Sequence, residues 1–212
     1  MNRTEYRGNI WKFPFVKYTP DNYDEKNGKK LPLIIQLHGA GERGYGEDDL
    51  SLVDVYGFSK IIGDKNYECM MVMPQCAPES FWVARIESII EFVSQLKEEF
   101  NIDENRVYLT GSSMGGFGTW YTSLARPDLF AAIAPVCGGG MAWAASNLTM
   151  PVWAFHGSAD ETVSVIHSDE MTEAIRKSGG DVKYSRIEGA GHAFQEYAFT
   201  EELIEWFLSK SK

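Results

Sequence analysis

Basic residues are in short supply in this chain: 20 Lys and Arg stand against 30 Asp and Glu, a formal net charge of −10. Phosphate binding relies on clustered cations that release counterions, so no nucleic-acid partner is expected. The pairs Lys29-Lys30 and Arg176-Lys177 read as solvated surface. Cysteine is scarce as well, with only Cys69, Cys76 and Cys137. No second Cys or His pair at ligand spacing accompanies them, which argues against a metal site and against a disulfide framework. Long apolar runs are missing, and the longest are of strand length, so no membrane-spanning segment is expected. The start, Met1 to Arg7, is polar and no sustained apolar segment follows it. With an odd count of thiols and no visible export signal, the expected compartment is the cytoplasm.

What is present suits a folded domain. At 212 residues, 44% hydrophobic and 24% charged, the chain is expected to form one domain over residues 1–212 with a single large core. Short apolar strand candidates occur at Trp11 to Tyr18, Leu31 to Leu37, Met70 to Met73, Arg106 to Thr110, Ala131 to Val136, Val152 to Phe155 and Val182 to Ile187. Helical stretches lie between them, at Asp49 to Ile62, Val83 to Glu99, Phe117 to Arg126, Val165 to Ser178 and Thr200 to Leu208. This alternation predicts an α/β fold, a mainly parallel sheet covered by helices on both faces. The first strand is expected to pair antiparallel with the second through the polar link from Thr19 to Lys30.

One segment carries chemistry. Gly111-Ser112-Ser113-Met114-Gly115 joins the strand ending at Thr110 to the helix that follows, a G-x-S-x-G where a strand turns sharply into a helix. That context lifts a serine hydroxyl clear of a sheet, and the glycines relieve crowding in the turn. Ser113 is the candidate nucleophile. Ser112 occupies the variable position of the motif and should point away. The partners of such a serine follow it in the order acid, then histidine. Asp160 stands just past the strand Val152 to Phe155, with Glu161 and Asp169 as competing carboxylates. His192 sits in the loop Gly189-Ala190-Gly191-His192 after a further strand. Upstream, Leu33 to Leu37 runs into His38-Gly39-Ala40-Gly41-Glu42-Arg43-Gly44, a small-residue loop able to approach a substrate. The N–H groups of Ala40 and Met114 are the expected oxyanion donors, with Gly41 the near alternative to Ala40. Of the remaining histidines, His38 is read as ordering this loop, His156 as structural and His167 as surface.

The loop His38-Gly39-Ala40-Gly41, the run Gly111 to Gly116, His156-Gly157 followed by Asp160, and Gly191-His192 together resemble the α/β-hydrolase superfamily. Within it they are most similar to the small carboxylesterase and predicted-peptidase branch, which includes feruloyl-esterase-like and polyhydroxyalkanoate-depolymerase-like proteins. The resemblance runs from about Leu31 to about Phe207. It implies an α/β-hydrolase domain without a large lid, no metal and no organic cofactor. It also implies an acyl-enzyme mechanism with Ser113, His192 and Asp160 in the catalytic roles.

The expected function is therefore hydrolysis of small soluble carboxylic esters by a serine carboxylesterase, since no lid-length insertion suits an oil interface. A serine peptidase of the same fold is the alternative within enzymes, and a non-catalytic ligand receptor the alternative outside them. Trp82, Met141 and Trp143 lie beside the site loops and are candidates for the substrate pocket, with burial in the core the rival reading for both tryptophans. Oligomeric state is left open by the sequence.

Overall fold

The sheet is organised around the strand that precedes the small-residue loop. The structure, a computed structural model, describes residues 1–212 apart from Asn9 and Asp64. Its strands are β1 (Asn2–Tyr6), β2 (Phe15–Thr19), β3 (Leu31–Leu37), β4 (Met70–Pro74), β5 (Ile102–Ser112), β6 (Ala132–Val136), β7 (Val152–Gly157) and β8 (Val182–Ile187). They form one eight-stranded sheet in the order β1-β2-β4-β3-β5-β6-β7-β8. β2 runs antiparallel to both β1 and β4, and the other neighbours are parallel.

β3 shows why the centre of the sheet is buried on both faces. Leu31, Leu33, Ile35 and Leu37 enter one core and Ile34 the other, the period-two alternation of a strand whose two sides are both covered. The first face carries α2 (Ile86–Glu99), α3 (Met114–Ala125) and α4 (Ile166–Lys177). Helix α2 buries Ile89, Phe92, Val93 and Leu96, residues three and four apart on a single stripe. The second face is covered by the short helices α1 (Ser59–Ile62) and α5 (Gln195–Ala198) and by α6 (Glu201–Leu208). Thr200 caps α6 by accepting the Leu203 N–H, and Glu201 and Glu202 in the first turn complement the helix dipole. Among the described residues no helix is long and apolar enough to cross a membrane.

The α/β architecture and the mainly parallel sheet match expectation, while three local readings do not. The strand after Trp11 pairs with β1 and β4 rather than with β3. Both edges of β3 are already taken by the parallel strands β4 and β5, and the polar link is too long for a tight hairpin. β1 is an additional edge strand, Asn-Arg-Thr-Glu-Tyr, whose polar composition gives no apolar alternation. The helix expected over Asp49 to Ile62 is a 3-10 segment, Leu50–Asp54, followed by the single turn α1.

Register brings the strand ends level. Leu37 pairs with Gly111, Ser112 with Val136, and Gly157 with Ile187. The loops that leave β3, β5, β7 and β8 therefore meet along one rim, the carboxyl end of a parallel sheet where ligand sites form.

Candidate active site

Ser113 sits on this rim with φ 55° and ψ −116°, a conformation that costs a non-glycine residue free energy and is held by its surroundings. A Cβ on Gly115 would lie 2.1 Å from the Leu37 carbonyl oxygen, and one on Gly111 would lie 2.6 Å from both that oxygen and the Gly115 carbonyl. Glycine at both places is what lets the turn press against β3. Ser112, by contrast, is buried as the last residue of β5.

The Ser113 hydroxyl oxygen is 2.9 Å from His192 Nε2, and His192 Nδ1 is 2.7 Å from Asp160 Oδ2. The other Asp160 oxygen accepts the N–H groups of Thr162 at 2.9 Å and Val163 at 2.8 Å. Burial alone would raise the Asp160 pKa, but hydrogen bonds from Val163, His192 and Thr162 outweigh it and hold the carboxyl below its usual range. An ionised Asp160 fixes the hydrogen on His192 Nδ1 and leaves Nε2 as an acceptor toward Ser113. The competing carboxylates lie elsewhere: Glu161 is exposed, and Asp169 accepts from the Tyr184 hydroxyl at 2.8 Å.

His156 braces this arrangement from below. Its Nε2 donates to the Val163 carbonyl at 2.9 Å, Ser168 Oγ lies 2.7 Å from its Nδ1, and burial lowers its pKa. His167 is exposed on α4, edge-on to Phe117.

The loop after β3 is tied down residue by residue. His38 accepts the Cys76 N–H on Nε2 at 2.9 Å, its Nδ1 is 2.5 Å from the Gly39 carbonyl, and its own carbonyl accepts from the Trp82 indole at 2.9 Å. Burial pushes His38 down to about 4, so the ring is neutral and can do both. Arg43 donates to the Ala40 carbonyl and to the Pro78 carbonyl, each at 2.9 Å, bridging two loops. Gln75 uses both ends of its buried amide, donating to the carbonyls of Glu42 and Asp49 and accepting from the Gly46 N–H. Ala40 and Met114 each open a helical turn, where N–H groups have no carbonyl behind them.

Ala40 and Met114 both line a cleft of ≈ 520 Å³ whose other walls are Phe81, Val83, Phe117 and Tyr121. Gly41 is exposed and is not part of this lining. The pocket candidates read from sequence fall outside it. Trp82 is fully buried against Phe13 and His38, because its indole N–H turns inward to the His38 carbonyl. Trp143 is 83% exposed on the 3-10 segment Ala142–Asn147, and Met141 packs against the core. Sequence reasoning missed Phe81, Val83, Phe117 and Tyr121. Met114, Phe117 and Tyr121 share one helix face at i, i+3 and i+7, a spacing that marks α3 as a cleft wall once Ser113 is placed.

Among the described residues, Cys137, Asp160 and His192 hold ligand-type atoms within 4.8 Å of one another. This donor set fits a metal ion poorly. Burial pushes the Cys137 thiol up to about 12, which disfavours the thiolate a metal would need, and Asp160 and His192 are already bonded to each other.

Known proteins place the chain. The bifunctional acetylxylan esterase/xylanase XynS20E of Neocallimastix patriciarum is 31% identical over 153 residues, which cover 69% of this chain and 21% of that protein. The crystal structure of a thermostable esterase superposes with a TM-score of 0.78 at 29% identity, covering all of this chain and 63% of the other. An acylaminoacyl peptidase of Pyrococcus horikoshii shares the fold alone, with a TM-score of 0.74 at 16% identity over 99% of this chain and 42% of that one. The chain thus spans only part of the length of these relatives. The model of the dienelactone hydrolase family matches residues 52–201, from the 3-10 segment before α1 through the Ser113, Asp160 and His192 positions to the start of α6, and the chain belongs to that family.

Proposed function

We propose that the protein is a serine carboxylesterase that hydrolyses small, neutral carboxylic esters through an acyl-enzyme on Ser113. The observation that carries this reading is the unbroken chain of contacts from Asp160 through His192 to the Ser113 hydroxyl, opening onto an apolar cleft at Ala40 and Met114. In this mechanism His192 takes the Ser113 proton as the hydroxyl attacks the ester carbonyl, and Asp160 stabilises the resulting imidazolium. The Ala40 and Met114 N–H groups stabilise the tetrahedral oxyanion. His192 returns the proton to the leaving alcohol, then activates water to release the acid.

The family membership and the esterases among the relatives support an ester substrate. The cleft supports a neutral one, for its lining carries no charged side chain. Its volume leaves room for acyl groups larger than acetyl.

A peptidase is the second reading, favoured by the fold of the acylaminoacyl peptidase. A peptide's charged terminus needs an ionic anchor, and the two arginines near the cleft are engaged: Arg43 donates to the Ala40 and Pro78 carbonyls and Arg85 stands over the Phe13 ring. The test is a panel of p-nitrophenyl esters against matched aminoacyl p-nitroanilides. The esters are expected to lead in kcat/KM by at least about a hundredfold, roughly 2.7 kcal/mol in transition-state stabilisation. Comparable rates on the two classes would promote the peptidase.

A further inference from the structure

Ester hydrolysis divides its substrate, and two separate hollows adjoin the site loops, one at Ala40 and Met114 and one at Ala193 beside His192. When the hydroxyl attacks, the carbonyl oxygen must face the oxyanion donors, while the departing alcohol oxygen must face His192 Nε2 to receive its proton. The cleft of Phe81, Phe117 and Tyr121 begins at the oxyanion donors. A second groove, of ≈ 320 Å³, has in one wall Ala193, the residue after His192, together with Phe199 and Glu196. Tyr56, Lys60 and Ile61 form the facing wall.

That facing wall is also anchored to the site. Gln36 lies on β3 two residues before His38, and its amide donates to the Tyr56 carbonyl at 3.1 Å and accepts the Phe58 N–H at 2.8 Å. Gly57 between them has φ +91° and presses so close that a Cβ there would lie 2.1 Å from the Gln36 amide nitrogen. Tyr56 is therefore held to the strand that carries the oxyanion loop, and the opposite wall belongs to the loop that carries His192. Tyr56 nonetheless stays 51% exposed. Its backbone is fixed, yet its side chain contributes little to the core.

We infer that this second groove receives the alcohol half of the ester, and that its Tyr56, Ile61 and Phe199 walls suit an apolar or aromatic alcohol. The inference rests on the serine-esterase reading and adds to it where each half of the substrate goes. In acylation the Ser113 Oγ–carbon bond forms and the carbon–alkoxy bond breaks, and the serine proton passes through His192 Nε2 to the alcohol oxygen. In deacylation water adds to the acyl carbon, the bond to Ser113 breaks, and a proton from that water returns through His192 to Ser113 Oγ. No electrons change hands. The alcohol has left before water attacks, so the groove acts on acylation alone, whereas the cleft at Phe117 acts on both steps.

The experiment compares 2-naphthyl acetate with ethyl acetate, which share an acyl group, in burst and steady-state kinetics. Tyr56→Ala should lower kcat/KM for the naphthyl ester by about tenfold, with a much smaller loss on the ethyl ester. The loss should fall on the acylation burst. Ala193→Leu, which narrows the groove from the other wall, should give the same selectivity. Tyr197→Ala, exposed and outside both hollows, should keep wild-type rates on both esters, and melting temperatures check that each variant is folded. Equal losses on the two esters in both groove variants, or a loss confined to deacylation, would place the alcohol elsewhere and overturn the inference while leaving the esterase reading intact. If the wild type hydrolyses neither ester and forms no Ser113 adduct, the esterase reading fails and the groove assignment fails with it.

Discussion

His192 Nδ1 stands 2.7 Å from Asp160 Oδ2, while the second oxygen of the same carboxylate accepts two backbone N–H groups from Thr162 and Val163. The carboxylate is thus fully engaged, and its side chain is shut off from solvent. Asp160→Asn would keep an oxygen for the two backbone donors and turn its NH₂ toward His192. That forces the imidazole hydrogen onto Nε2, where it faces Ser113 and cannot accept a proton. The expected result is a fall in ester kcat of about 10³ to 10⁴ with little change in KM or melting temperature. A variant within tenfold of wild type would remove Asp160 from the role of orienting His192.

His38 links acid sensitivity to the loop after β3. In the folded chain burial moves its titration from 6.5 down to about 4, so between those values the unfolded chain binds more protons than the folded one. Stability from this residue is complete above about 6.5 and is lost as pH falls toward about 4. Urea unfolding at pH 7 and pH 5 should show the wild type losing about 2 kcal/mol more than His38→Asn over that interval. His156, also lowered by burial, supplies slope common to both proteins. Equal slopes would mean that His38 is not held neutral.

Gln75 is the residue on which the loop after β3 turns. Its amide carries three hydrogen bonds to Glu42, Gly46 and Asp49 in a buried setting. Gln75→Ala leaves those backbone groups without partners and frees the segment that aims the Ala40 N–H. The expected signature is a drop in ester kcat of about ten- to a hundredfold with KM nearly preserved, because an oxyanion donor acts on the transition state more than on the bound ester. A rise in KM at constant kcat would instead assign Gln75 to substrate binding.

The sequence made the strand-turn-helix at Ser113 and the succession of Asp160 and His192 legible because local rules govern them: tight turns demand glycine, and parallel strands deliver loops to one rim. The strand partners of β2 were not legible. Choosing β4 over β3 depends on which edges are already filled, a property of the whole sheet. The cleft failed for a different reason. Phe81, Trp82 and Val83 are adjacent, and of the pocket and core readings of Trp82 the core holds, because its indole N–H donates to the His38 carbonyl and turns the ring inward. Its two neighbours are left to line the cleft. Trp143, the other tryptophan read as pocket or core, lies exposed on the surface instead of in the core.

The central claim is that Ser113 is the atom-bearing nucleophile, and covalent capture tests it most directly. The protein is treated with a fluorophosphonate, digested and read by mass spectrometry, alongside Ser112→Ala and Ser113→Ala. One adduct is expected, on the peptide that contains Ser113, in the wild type and in Ser112→Ala. It should be absent from Ser113→Ala, whose ester hydrolysis should fall by about 10⁵ or more. An adduct on another residue, or ester turnover that survives in Ser113→Ala, would contradict the assignment.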